Sequence, residues 1–333
     1  MTIVTGTFQT TGSVRNREDF TNLISRITPE ETPFFSLHDG EKIEGVKHEW
    51  QTETIRTPVL TNAQVEGDQY AYTAIVATSR VGNYTQISRE GFAVSKTQEV
   101  VSKAGPKSEL GKERVRAGLA LRHDIEASML SNNASVAGLT RKSGGLRAWL
   151  SSNDTFGAGG ASGGYNSGTG VVDAATASSA LRAFTKSELD ATIQATYQSG
   201  GNPTIIMLSP WNKRVFSGFM ADASVAQLRM ASKPSEQATI VGAADAYLSD
   251  FGLMSVVPNR QMSRTSATAA SYVYLIDTDK VAKGFLRDIQ EDKNIALNAD
   301  ADAKMLICEW TLVVKNQAAH GVVADVFGLT AST

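Results

Sequence analysis

Four histidines, a lone cysteine, a glycine-rich run and a pair of aspartates are the residues of this chain best suited to chemistry. His38, His48, His123 and His320 lie far apart, and none has a second ligand type at the helical or hairpin spacing that metal binding requires. His48-Glu49-Trp50 places the imidazole and indole on one face of an extended strand and the carboxylate on the other, so it forms no acid/base pair by itself. Cys308 sits mid-strand on an apolar face, where a thiol packs as a small hydrophobe and its thiolate is disfavoured. A single cysteine also excludes an intrachain disulfide and any multi-thiolate metal site. The glycines at 157, 159, 160, 163 and 164 invite comparison with a phosphate cradle, but no Lys-Ser/Thr follows them and no strong strand precedes them. Asp300 and Asp302 start a calcium-loop pattern that fails at Lys304 and lacks its glycine. No nucleophile elbow or zinc-protease helix is present. The sequence therefore implies no catalytic, cofactor or metal residue.

Composition narrows the function classes further. The 333 residues are 41 % apolar and carry a formal charge of −2, so the chain can bury a substantial core and is no bulk polycation for nucleic acid. Basic residues do gather at Arg15, Arg17 and Arg26, and at Lys103, Lys107, Lys112, Arg114, Arg116 and Arg122. They read either as solvated faces with compensating acids or as phosphate contacts that ignore base sequence. No apolar run approaches the roughly 20 residues of a membrane span, and the N-terminus lacks the basic start and apolar core of a secretory signal. Synthesis in a cytoplasm is the expectation, and the Asn-X-Ser/Thr triplets at Asn83, Asn133 and Asn153 read as chance.

The elements that must carry these residues begin with an arm, residues 1 to about 31, with a short helix expected over Arg17–Ile27. Period-two alternation at Val46–Thr54 and again at Arg80–Ser88 predicts a long two-stranded hairpin with its tip near Val65–Tyr72. Gly105-Pro106 ends that region, and Lys107–Asn132 reads as an amphipathic helix capped by Ser108. Leu110, Val115, Gly118, Leu119, Leu121, Ile125 and Met129 share one arc of it, into which Arg114, Arg122 and Glu126 intrude. Those three either make internal pairs or face something outside the fold. Residues 151–170, rich in Gly and Ser, read as a loop with no packed element. A helix at Thr185–Ser199, a buried strand at Thr204–Leu208, a helix opened by Ser209-Pro210 and strands within Ile240–Pro258 and Ser271–Asp277 suggest an α/β unit. A long strand at Lys304–Lys315 and a short one at Val322–Phe327 finish the chain.

One stretch goes beyond patterning. Thr32-Pro33-Phe34, a short variable segment and His48-Glu49-Trp50 resemble the signature of a family of tailed-phage major capsid proteins, of the Hong Kong-type fold shared with herpesvirus capsid floors. Asn83-Tyr84-Thr85-Gln86-Ile87, Glu109-Leu110 and Asp124-Ile125-Glu126 extend the likeness, as does the order of elements along nearly the whole chain. The resemblance implies an α+β fold with an N-terminal arm (1–36), an extended hairpin loop (37–95), a peripheral domain with a long spine helix (96–138 and 280–317) and an α/β axial domain (139–279 and 318–333). It implies pentamers and hexamers of the chain closing an icosahedral head around double-stranded DNA, with scaffold, portal and cementing proteins as further partners, no membrane, and assembly in the bacterial cytoplasm. Pro33, Phe34, His48, Trp50, Arg114, Arg122 and Glu126 are the subunit-contact or hinge candidates, and no cofactor is implied. Two other readings stay open at this stage: an encapsulin-like nanocompartment shell, and a cytoplasmic α/β enzyme.

Overall fold

The computed structural model describes residues 30–69, 72–101, 107–219, 245–292 and 300–329. The expected helix at Arg17–Ile27, the arm arginines, Lys103, the Gly105-Pro106 step, residues 240–244 and two residues of the hairpin tip lie outside them. Helix α1 (Pro33–Leu37) and strand β1 (Gly40–Lys42) precede a hairpin of β2 (Lys47–Thr52) and β3 (Ser79–Tyr84), followed by β4 (Gln86–Ser95) and α2 (Lys96–Val100). The spine is α3 (Glu109–Met129), with Ser108 accepting the Gly111 amide at its N-cap. After α4 (Leu146–Trp149) come the short strands β5 (Asp154–Thr155), β6 (Gly164–Asn166) and β7 (Val171–Asp173), then α5 (Lys186–Gln198), β8 (Ile205–Leu208) and α6 (Pro210–Phe219). The rest is β9 (Ala246–Ser249), β10 (Gly252–Pro258), α7 (Arg260–Thr265), α8 (Ala267–Ala270), β11 (Val273–Ile276), β12 (Val281–Asp292), β13 (Ala301–Val314) and β14 (Gly321–Val323).

Two sheets organise the chain. One has the order β1-β12-β13-β4 and the other β5-β14-β11-β8-β10-β9. Every residue of β8 and of β11 is buried, as expected of strands covered on both faces. Alternation then divides them: Met207 and Tyr274 join a core with Leu121, Ile125, Met129, Cys308, Trp310 and Leu312, whereas Ile206, Leu208 and Leu275 join a second core with Leu189, Ile193 and Phe216. The first core is continuous from the spine helix through both sheets, so the two sheets are packed as one body.

Three sequence expectations change. The paired hairpin is short, because β2 and β3 share six register pairs and Gln86–Ser95 instead joins β13, with the break at Thr85. In the sequence, alternation runs unbroken from Arg80 to Ser88, so side-chain pattern alone hid the change of sheet. The Gly/Ser-rich segment is also structured: β5 extends the six-stranded sheet beside β14, and β6 pairs with β7. The final strand is Gly321–Val323, shorter than Val322–Phe327, since Asp325 takes φ 59° and ends it.

Candidate functional site

The arm enters the body at α1. Pro33 occupies the first turn, where its missing amide leaves nothing unpaired, and Phe34 beside it is 1 % exposed. The amides that follow find their acceptor 92 and 91 residues away. Phe34 N–H donates to Glu126 Oε1 at 2.8 Å and Phe35 N–H to Oε2 at 2.5 Å. Asn259, the N-cap of α7, donates its Nδ2 to the same Oε1 at 2.6 Å, and Gln261 reaches back to the Glu31 carbonyl at 3.3 Å. One carboxylate of the spine thus ties the arm to the helix that follows β10. At the other end of the turn, Lys283 Nζ donates to the Phe35 carbonyl at 2.5 Å and lies 3.9 Å from the centroid of its ring.

Glu126 resolves the puzzle of acids and bases in the apolar arc, though not as an ion pair. It is fully buried, and burial pushes its carboxyl up to about 7 against the opposing pull of the Phe34 and Phe35 amides, Asn259 and Lys283. Burial likewise lowers Lys283, with Arg122 adding to the effect. Arg122 stacks over the Phe35 ring at 5.9 Å, while Arg114 is exposed and reaches Glu291 at 3.4 Å, so it takes no part in the contacts around α1. Lys112 and Arg116 pair with Glu109 and Glu113 one turn earlier, the compensated face that the sequence suggested. Outside Phe35 a groove of about 870 Å³ opens, walled by Val115, Leu119, Arg122, Lys283, Phe285 and Ile289.

A second node fastens the root of the hairpin. Asn83 is fully buried and saturates its amide: Nδ2 donates to the Leu312 carbonyl at 2.8 Å, and Oδ1 accepts the Gly144 amide at 2.8 Å. Thr85 donates to Glu309 Oε1 at 2.8 Å, and Arg141 and Arg287 meet the same carboxylate at 2.6 and 3.2 Å. Burial would raise Glu309, but Thr85 and the two guanidinium groups outweigh it and hold the carboxyl below its ordinary range. Trp50 lies 5.3 Å from Trp149, which stacks on Tyr165 at 6.2 Å, and His48 flanks Trp50 at 5.6 Å. The β2 and β3 backbones approach closely here: a Cβ on Gly82 would lie 2.8 Å from the His48 carbonyl.

Pro33, Phe34, Arg122 and Glu126 therefore converge around the α1 turn, His48 and Trp50 at the hairpin root, and Arg114 at neither. Sequence reasoning missed Asn259, Lys283, Trp149 and Glu309. Of these only Glu309, a charge inside an apolar strand, carried a visible signal. Cys308 is buried and its thiol is pushed up to about 12 by that burial. Among the described residues no cluster of three or more His, Cys, Asp or Glu could hold a metal, and no helix is long and apolar enough to cross a membrane.

Comparison with known proteins agrees with this layout. The major capsid protein of Escherichia phage Phieco32 is 27 % identical over 242 residues, covering 63 % of this chain and 68 % of that protein. The capsid asymmetric unit of cyanophage A-1(L) superposes with a TM-score of 0.64 at 13 % identity, over 94 % of this chain and 97 % of that one. The SrpI encapsulin of Synechococcus elongatus PCC 7942 shares the fold at a TM-score of 0.57 and 10 % identity, over 96 % and 95 % of the two chains. The profile of the SU10 major capsid protein family matches residues 3–327. With nearly its whole length inside that match, the chain belongs to the SU10 major capsid protein family, a structural family of phage capsids, and it carries the tailed-phage capsid fold.

Proposed function

We propose that this chain assembles with copies of itself into pentamers and hexamers that close an icosahedral head around double-stranded DNA. The observation that carries the reading is the hairpin beyond its root. Ile55, Leu60, Tyr72, Ile75 and Val76 are 94, 100, 94, 98 and 78 % exposed. A loop with no strand among its described residues 53–69 and 72–78, bearing so many bare hydrophobic side chains, needs a partner surface. A neighbouring copy supplies it, and the apolar walls of the groove beside Phe35 match such a contact in character. The Pro33–Leu37 turn serves as the hinge from which the arm leaves, and the six-stranded sheet forms the axial part around five- and six-fold centres. Scaffold, portal and cementing proteins are the further partners, exposed basic side chains contact DNA phosphates without reading sequence, and assembly takes place in the host cytoplasm.

Electron microscopy of material assembled from the full chain and from a chain lacking residues 53–78 tests this. Closed shells from the first and none from the second support the reading; protein that stays monomeric in every condition counts against it. Likeness to an encapsulin shell leaves a nanocompartment as the second reading, and its mark is co-purified protein cargo in place of DNA.

A further inference from the structure

We propose that His38 and His320 form an acid-sensitive lock on the crossover between the two sheets, and that charging them frees the hinge from which the arm leaves. The proposal rests on reading Pro33–Leu37 as that hinge. His38 follows α1, is 4 % exposed, and packs edge-on against Phe34 with ring centroids 4.5 Å apart. Neither of its ring nitrogens has a hydrogen-bond partner. His320, immediately before β14, is fully buried, accepts the Asp277 amide on Nδ1 at 3.2 Å, and has no partner for Nε2. The Thr278 backbone faces His38 and the Lys280 backbone faces His320, and each favours the charged ring. Both rings therefore flank one turn, residues 278–280, through which the chain passes from β11 to β12.

Geometry and burial act in the same direction here. A proton added to either ring would bury a charge without a hydrogen-bonded counterion. Each imidazole is accordingly held down to about 4, chiefly by burial, with Lys283 lowering His38 further and His38 lowering His320. The Thr278 backbone and then Asp39 oppose this at His38, as the Lys280 backbone does at His320, without overcoming burial, and the Asp277 carboxylate is engaged as the cap of the 278–280 turn. Two further groups on the spine face the same hinge, Arg122 over Phe35 and Glu126 on the α1 amides. Glu126, raised by its own burial, titrates with the opposite sign and tightens the hinge in acid. Two histidines working against one glutamate leave acid as the releasing condition below the ordinary histidine range.

Hydrogen exchange of the full-length, unassembled protein tests the lock, with rates corrected for intrinsic pH dependence. Peptides covering residues 31–43 and 277–284 should lose protection at least about tenfold between pH 7 and pH 5, while the α5 amides keep theirs. The double variant His38→Leu, His320→Asn, whose asparagine keeps an acceptor for the Asp277 amide, should retain protection through that range. A parent that shows no selective loss, or a folded double variant that opens at the parent's pH, overturns the proposal. Should the variant fail to fold, exchange at the imidazole Cε1–H of the parent decides: midpoints well below the ordinary histidine value support the lock, and ordinary midpoints reject it. Shell formation at pH 7, scored separately by microscopy, keeps failure of the lock distinct from failure of the capsid reading.

Discussion

Glu126 beneath α1 and Glu309 at the hairpin root are both buried carboxylates, each joining segments far apart in sequence, yet their environments drive them in opposite directions. Glu126 meets three neutral N–H donors, and burial prevails, lifting it to about 7. Glu309 meets a hydroxyl and two guanidinium groups, which outweigh burial and hold it low. Full counter-charges keep Glu309 ionised; neutral amides leave Glu126, beneath the proposed hinge, able to change charge near neutral pH.

The sharpest way to break the comparison is Glu309→Ala. It removes the acid that Thr85, the half-buried Arg141 and the exposed Arg287 share, and should lower unfolding free energy by about 3 kcal/mol in denaturant titrations. A loss under about 1 kcal/mol would mean that the root does not depend on its ion pairs. Phe34→Ala should cost about 3 kcal/mol by leaving a cavity under α1, measured in the same way. Stability equal to the parent would remove Phe34 as the anchor.

The next effect is one of sign. Glu126 has a raised folded value, so its contribution is fully present below about 4.5 and is lost as pH rises through about 7. Relative to Glu126→Gln, the parent should therefore gain up to about 1.4 kcal/mol per pH unit as pH falls from 7 to 4.5. Glu309 is lowered, so its contribution is present above about 4.5 and is lost as pH falls through its lower folded value. Unfolding curves for the two Glu→Gln variants across pH check this contrast; parallel profiles would erase the distinction. The smallest effect is Arg116→Ala. It removes an exposed pair with Glu113 on the outer spine and should change stability by less than about 0.5 kcal/mol.

How much of this was legible in the sequence depended on the range of the interactions. Thr32-Pro33-Phe34 and Trp50 were marked through a resemblance to a known family, whereas α3 could be placed from its own cap and arc. Glu126 was visible as an acid out of place, but its partners were not, because they are backbone amides more than ninety residues away that carry no side-chain signature. The change of sheet at Thr85 was hidden for a similar reason. Alternation reports that a strand has two faces, never which strand it pairs with. The short strands after α4 were missed because two- and three-residue ladders depend on neighbouring backbone and leave almost no period to read. Asn83 shows the reverse case, since its neighbourhood was noticed through a family resemblance while the amide that locks it between Gly144 and Leu312 depends on tertiary contact alone.

The short β2–β3 ladder has a mechanical consequence. Residues 53–78, doubled back on themselves, reach at most about 45 Å beyond it. At that length a rotation of about 10° at the root carries the tip roughly 8 Å, more than the width of a strand. The hairpin is therefore a lever whose fulcrum is Asn83, Thr85 and Glu309. If a neighbouring copy covers the hairpin, as proposed, small angular differences at the root are magnified along it, and the stiffness of those few buried residues sets how accurately the copies meet.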